Sequence, residues 1–386
     1  MKMKIQLLNK IAAVGLAELG DQYQVGEDVQ NPDGIMVRSA VMHEMEFGSE
    51  LKAIARAGAG VNNIPIDRCS EAGIVVFNTP GANANGVKEL AICALLLAAR
   101  DVIGGIEWAK SLAGTADVAK QVEKGKSKFA GTELKGKTLG VIGLGAIGGM
   151  IANTAIALGM KVIGCDPFLS VEGAWNLDRN VIRAATYDEI FAQADYITLH
   201  VPATKDTKNM ICTENIAKMK DGVKIINLSR ADLVSADDLK AAMADKKVSA
   251  YVTDFPTEQI LEIPGVVAIP HLGASTEESE DNCAVMAARE LDDFLVNGNI
   301  KNSVNFPNLD MPRSGSARIC VLHANVPAVI TKVTAALSDE GLNIENMTNK
   351  SKGDNAYTVV DVSSVPSASA VERIASVDGV FRVRAI

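Results

Sequence analysis

Gly143-Leu144-Gly145-Ala146-Ile147-Gly148 is a G-x-G-x-x-G loop, with an apolar stretch before it and a helical pattern after it. In that setting Gly143 permits a tight turn, Gly145 lets a pyrophosphate approach the backbone, and Gly148 permits close helix packing. Unpaired N–H groups at the helix start favour the anion. Asp166 ends the next apolar stretch, placed to accept from an adenosine ribose hydroxyl. A carboxylate there repels a 2′-phosphate, which points to NAD rather than NADP. Further along, Arg230, the segment bounded by Asp254 and Glu258, and His271 each follow an apolar stretch. Hydride exchange between a nicotinamide and a 2-hydroxy acid needs a cation for the carboxylate and a group that exchanges the hydroxyl proton. It also needs something to tune that group. Guanidinium, imidazole and carboxylate are those three. A lone arginine or histidine is ordinarily a surface charge or a satisfied core group; here their ordered arrival speaks for chemistry. None of the four histidines sits in a metal-ligand pattern, and no metal is expected.

These residues need strands to hold them. Near-continuous apolar runs at 34–39, 51–56, 73–78, 138–142, 161–165, 196–201, 223–228, 249–253 and 266–269 read as parallel strands covered on both faces. Helical patterns alternate with them, which predicts an α/β architecture with sites at the carboxyl ends of strands. One long helix is expected over 87–110 and another over 275–296, stopped by Asn297-Gly298. Residues 302–316 carry Pro307, Pro312 and Ser314-Gly315-Ser316 and read as a linker. The stretch 317–386 restarts as βαββαβ, the ferredoxin-like plan.

The chain of 386 residues suggests two or three domains, and its net charge of −9 lacks the footprint of a nucleic-acid binder. Aromatic residues are 4%, too few for a single-strand stacking platform. The longest apolar run, residues 90–99, is too short for a membrane span, and Asn9 and Lys10 interrupt any signal-peptide core. Six dispersed cysteines without a C-x-x-C pair fit free thiols, so a cytoplasmic, membrane-free protein is expected.

Taken together, Arg56-Ala57-Gly58-Ala59-Gly60-Val61-Asn62-Asn63-Ile64, Asn78-Thr79-Pro80-Gly81, the glycine loop, His200-Val201-Pro202, Asn227-Leu228-Ser229-Arg230 and the run from Pro270 to Thr276 carry a resemblance. Residues 1 to about 301 resemble the D-isomer-specific 2-hydroxyacid dehydrogenases. The resemblance implies two doubly wound Rossmann-like lobes with the site between them. The substrate lobe would be 1–96 with 275–301, and the NAD lobe 97–274. It assigns Arg230 to the substrate carboxylate, His271 to acid/base work and Asp254 to the nicotinamide carboxamide. Further cofactor contacts fall on Thr79, Ala146, Ile147, Val201, Leu228 and Ala274. The family's carboxylate position falls on Gln259 here, with Glu258 beside it; a one-residue loop shift would put Glu258 in that role. The expected reaction is NAD-dependent oxidation of 3-phosphoglycerate to 3-phosphohydroxypyruvate, the entry to serine synthesis. Arg38, Ser39 and Arg56 are then the phosphate candidates, with Asn78 beside them. A glyoxylate or hydroxypyruvate reductase would share these residues without needing a phosphate site, and an NAD-sensing corepressor-like protein would keep the fold alone.

Residues 317–386 resemble an ACT domain, the amino-acid-binding unit that works in pairs. His323, Asn325 and Asn343 match its effector pattern, which implies L-serine as a feedback effector and a homodimer or homotetramer. Two amides and an imidazole offer donors and acceptors for a carboxylate and an ammonium.

Overall fold

The computed structural model describes residues 2–386. Its chain divides into two compact units, Met1–Asn83 with Glu277–Ile386, and Ala84–Thr276. The first holds a parallel sheet of β1 (Met3–Leu7), β2 (Tyr23–Gly26), β3 (Gly34–Val37), β4 (Ala53–Arg56) and β5 (Val75–Phe77), in the order β2-β1-β3-β4-β5. β1 and β2 were not among the expected strands. Lys4 and Gln6 interrupt the apolar run of β1, where only Ile5 is fully buried.

The second unit carries β6 (Thr138–Ile142), β7 (Lys161–Cys165), β8 (Val181–Arg183), β9 (Tyr196–Leu199), β10 (Val223–Asn227), β11 (Val248–Thr253) and β12 (Val266–Ala268). Their order is β12-β11-β10-β9-β6-β7-β8, all parallel, so the strand order reverses at β6 and β9. This is the doubly wound plan, whose ligands bind beyond the carboxyl ends of the strands at the reversal. The helix expected over 87–110 is instead two, Ala84–Ala99 and Val102–Ser111. Asp101 breaks it: its carboxylate accepts from the Gly104 N–H at 2.9 Å, a cap that starts a new helix. Val87, Ala91 and Leu95 of the first helix share a core with Leu139, Val141 and Ile151.

A third sheet, antiparallel, belongs to the first unit. β13 (Ala317–Ala324), β14 (Ile344–Lys352), β15 (Asn355–Val362) and β16 (Val380–Ala385) lie in the order β14-β15-β13-β16. Helices Val329–Asp339 and Ala368–Ala375 complete the βαββαβ sequence read above and cover one face through Val333, Leu337 and Ile374. The other face is not free. Cys320, Leu322, Tyr357 and Val359 share a core with Leu291, Phe294 and Leu295 of helix Glu277–Asn297 and with Phe306 and Leu309. The stretch expected as a linker is therefore packed, with Phe306 and Leu309 fully buried. Its prolines and serines gave it a loop composition, while its apolar residues fill the seam.

Polar contacts reinforce that seam. Arg318 and Asp361, both without exposed side-chain surface, form a two-pronged pair at 2.6 and 2.9 Å. Arg318 also donates to Asn297 O and Met311 O, each at 2.7 Å. Burial works against the Asp361 charge, and the Arg318 guanidinium together with the Ser314 N–H and hydroxyl outweighs it, holding the carboxyl below its ordinary range. Arg384 donates to Phe294 O and Leu295 O, and Tyr357 to Gly298 O. The last carbonyls of the helix, left without intrahelical partners, are thus capped by the antiparallel sheet. Gly298 has φ +75°, and a Cβ there would stand 2.5 Å from Cys320 Sγ. Only glycine fits both demands.

Candidate active site

In the second unit, the glycine loop leaves β6 and opens helix Ala146–Ala157. Gly143 has φ +90°, and a Cβ on it would meet His200 O at 2.5 Å; one on Gly148 would meet Gly143 O at 1.9 Å. A Cβ at Gly145 would meet nothing within 4 Å, so this face of the turn is open. No side chain caps the helix start, leaving its N–H groups for an anion. Asp166, just past β7, accepts from Leu144 N and Phe168 N, both at 2.9 Å. These bonds hold the carboxylate beside a cavity of about 430 Å³ lined by Gly145, Ala146, Asp166 and Phe168 among others. Turn, open backbone and acidic wall fit the pyrophosphate and ribose of a dinucleotide.

Beyond β9, the His200 ring Nε2 lies 2.7 Å from Thr198 Oγ1 and its Nδ1 is buried without a partner. Burial pushes its pKa down to about 3, so the ring is neutral. Val201 follows it. Past β10, fully buried Asn227 builds the turn that presents Arg230: its carbonyl oxygen accepts from Ser229 N at 3.2 Å and its amide donates to Arg230 O at 2.8 Å. Leu228 is buried within this turn and the Arg230 side chain is exposed.

Two of the groups, Arg230 and His271, meet at one aromatic ring. Phe255 lies with its centroid 4.5 Å from that of His271, and the Arg230 guanidinium carbon sits 5.8 Å from the same ring. Asp254, 1% exposed, accepts from Gly273 N at 3.3 Å through Oδ2, while Oδ1 has no partner. Burial raises the Asp254 pKa and the nearby His271 opposes that rise. A buried, unpartnered carboxylate oxygen is costly unless a ligand amide completes it. Ala274 follows on the same loop. Glu258 begins the short helix Glu258–Leu261 and is exposed, as is Gln259; among the described residues neither hydrogen-bonds to His271. Asn227 was quoted from the sequence without a role, and Phe255 was not singled out. An asparagine two residues before a turn is a legible signal; Phe255 looks like any apolar strand end.

In the first unit, Asn9 follows β1 and its Oδ1 accepts from three successive N–H groups, Arg38, Ser39 and Ala40, at 2.9–3.0 Å. It sits where that sheet reverses, between β1 and β3, and it shapes the turn carrying Arg38 and Ser39. Arg38 pairs with Glu280 at 2.6 Å, and Arg56 Nε donates to Arg38 O. Asn78 donates to Ala59 O, and Thr79, fully buried, donates its N–H to Gly58 O. All four sequence candidates thus cluster at strand ends, and Asn9 was missed because its strand was.

In the antiparallel sheet, His323 is buried with both ring nitrogens occupied, at Ala324 O and Thr358 Oγ1. Asn325 is exposed and donates to Gly353 O. Asn343, also exposed, lies at the opposite end of the sheet: it precedes Ile344, paired with Val362, whereas Ala324 pairs with Asn355.

Residues 104–273 match the NAD binding domain of the D-isomer specific 2-hydroxyacid dehydrogenases. The chain is 35% identical to a D-3-phosphoglycerate dehydrogenase of Synechocystis, over 79% of this chain and 54% of that one. It is 30% identical to D-3-phosphoglycerate dehydrogenase 1 of Saccharomyces cerevisiae, over 94% and 82%. The chain therefore spans about half the length of some curated relatives it matches and most of others. A crystal structure of NAD+-bound 3-phosphoglycerate dehydrogenase from Entamoeba histolytica superposes with a TM-score of 0.61 at 30% identity, covering 80% of this chain and all of that one. On these similarities the chain belongs to the D-isomer specific 2-hydroxyacid dehydrogenase family and carries its NAD-binding domain.

Proposed function

We propose that this chain is an NAD-dependent dehydrogenase that oxidises 3-phosphoglycerate to 3-phosphohydroxypyruvate. The observation that carries it is the grouping of Arg230 and His271 about Phe255, with the open oxygen of Asp254 beside them. The glycine loop, Asp166 and Asp254 would hold NAD, which would supply a hydride acceptor for C2 of the substrate. Neutral His271 accepts the hydroxyl proton through a ring nitrogen, and Arg230 anchors the carboxylate with its planar fork. Phe255 orients both, since a cation and an imidazole pack well on a ring face. Asp254 Oδ1 receives the carboxamide N–H. Glu258 would stabilise the imidazolium after a small movement of its exposed helix start. Arg38, Ser39 and Arg56 supply donors for the phosphate.

The test is steady-state NADH turnover on 3-phosphohydroxypyruvate, hydroxypyruvate and glyoxylate in parallel. A clear preference for the phosphorylated acid supports the reading. Equal efficiency on all three would make the protein a general hydroxypyruvate or glyoxylate reductase, and turnover of none would favour a sensor of NAD.

For the antiparallel module we infer an ACT-type effector site for L-serine. Asn325 and Asn343 stand at opposite ends of one sheet, so a site using both takes one from each of two copies, which calls for a homodimer or larger homo-oligomer. His323 would support Asn325 from behind. An L-serine titration of wild type beside Asn325→Ala checks this; equal response of both would remove it. Removing everything after Asn308 is a poor test, because Leu309, Met311 and the β13 to β16 sheet fill the core of the first unit.

A further inference from the structure

β14 is an edge strand whose side chains alternate between the two faces of the antiparallel sheet. Thr348, Lys350 and Lys352 stand opposite Val359, Tyr357 and Asn355, so they share the face that docks on helix Glu277–Asn297 and the packed connector. Thr348 Oγ1 approaches Met311 Sδ at 3.4 Å, and Lys352 Nζ donates to Ser303 O at 2.8 Å. Here the seam does not close. A cavity of about 780 Å³ remains, lined by Asn78, Asn302, Asn308, Pro307, Lys350 and Lys352 among others.

The charge in this cavity is one-sided. No carboxylate is among its lining residues, and neither lysine forms an ion pair among the described residues. That is unusual placement in a chain of net charge −9. Burial pushes the Lys352 ammonium below its ordinary pKa, as expected of a cation facing protein without a counter-charge. The amides of Asn302 and Asn78 each donate one N–H within the protein, to Glu290 and to Ala59 O, and Asn308, Ser351 and the ammonium protons add further donors. Two cations, an amide and no acid fit an anion. They do not fit an amino acid, whose ammonium would find no carboxylate.

We propose that this seam cavity binds a small dianion, a phosphorylated or dicarboxylic metabolite, between Lys350, Lys352 and Asn308. Its occupant would touch Asn78 and so report to the loop that carries Thr79. Its lining includes neither the serine contacts Asn325 and Asn343 nor the phosphate donors Arg38 and Arg56, and Asn78 is the residue it shares with the substrate candidates.

Isothermal titration of the full-length protein with inorganic phosphate, and separately with succinate, tests it. Four proteins are compared: wild type, Arg38→Gln, Lys350→Gln, and the double variant Lys350→Gln/Lys352→Gln. The expected result is binding with Kd of about 1 mM or tighter for at least one probe. Binding persists in Arg38→Gln and weakens about tenfold or more in the double variant, as loss of charge-assisted contacts requires. L-serine added first leaves the isotherm unchanged. Lys350→Gln alone, at a side chain with no hydrogen bond or ion pair among the described residues, should weaken binding in the same direction and keeps the test readable if loss of the Lys352 contact disturbs folding. No binding by wild type, equal binding by the double variant, loss in Arg38→Gln only, or displacement by serine would each overturn the proposal. None of these outcomes depends on which hydroxy acid the protein oxidises.

Discussion

The carboxyl ends of β9 to β12 and the docked face of the antiparallel sheet both bury polar side chains, and they treat them in opposite ways. At the strand ends, Asp254 Oδ1 and His200 Nδ1 are buried without partners. In the seam, Arg318 reaches two carbonyls and a carboxylate, and Tyr357 and Arg384 reach the end of a helix. A binding site leaves hydrogen-bonding capacity open at a cost in stability, and a clamp closes it. The comparison teaches where to look for chemistry and where to look for rigidity. It also makes the two regions separable by mutation.

The largest effect is expected at the open end. His271→Ala should lower turnover about 10²–10⁴-fold while the melting temperature and NADH affinity hold, because the exposed ring supports no core. Turnover near that of wild type would move acid/base work elsewhere. At the closed end, Arg318→Leu strands a buried carboxylate and should cost about 3–5 kcal/mol in urea unfolding. Adding Asp361→Leu should recover much of it, since an apolar pair of similar volume replaces the ions; no recovery would mean that the carbonyls capped by Arg318 matter more than Asp361. Acid sharpens the same contrast. The depressed carboxyl of Asp361 stabilises the fold fully above the unfolded value near 3.8, and that contribution fades as pH falls through the folded value.

A smaller effect is expected from Asp166→Ser, which should weaken NAD and narrow its advantage over NADP in parallel KM measurements; an unchanged ratio would leave Asp166 with only its turn bonds to Leu144 and Phe168. A pH-dependent effect lies at Glu290, a buried carboxyl with one oxygen unpartnered and the other bonded by Asn302 at 2.6 Å. Burial raises its pKa from 4.5 to about 8, with Asn302 and Lys301 opposing. The unfolded chain therefore releases this proton first, and stability declines as pH rises between those values. Glu290→Gln should flatten that decline in thermal melts at about pH 5 and about pH 9. An identical decline in both proteins would assign it to other groups.

Most of the second unit was legible because its signals are local. Glycines at three spacings, an acidic residue after the next strand, and charged groups after apolar runs all lie within short stretches of chain. Each miss has its own local cause. β1 mixes Lys4 and Gln6 into its pattern, so Asn9 lost the strand that would have marked it. Residues 302–316 look like a loop by composition, although Phe306, Leu309 and Met311 are the residues of a buried seam. The helix expected over 87–110 followed an apolar run past Asp101, whose capping preference outweighed it.

The sequence by itself determined the strand–turn–helix of the dinucleotide loop, the order of the candidate groups along the strand ends, and the βαββαβ plan, because each depends on short-range periodicity and turn chemistry. Only the tertiary structure decided that Phe255 stands between Arg230 and His271, that His323 is enclosed by its own sheet, and that the antiparallel module is bound to helix Glu277–Asn297. Those contacts join residues 16 to 90 positions apart. Their strength comes from water being excluded around them, and exclusion exists only once the chain has closed.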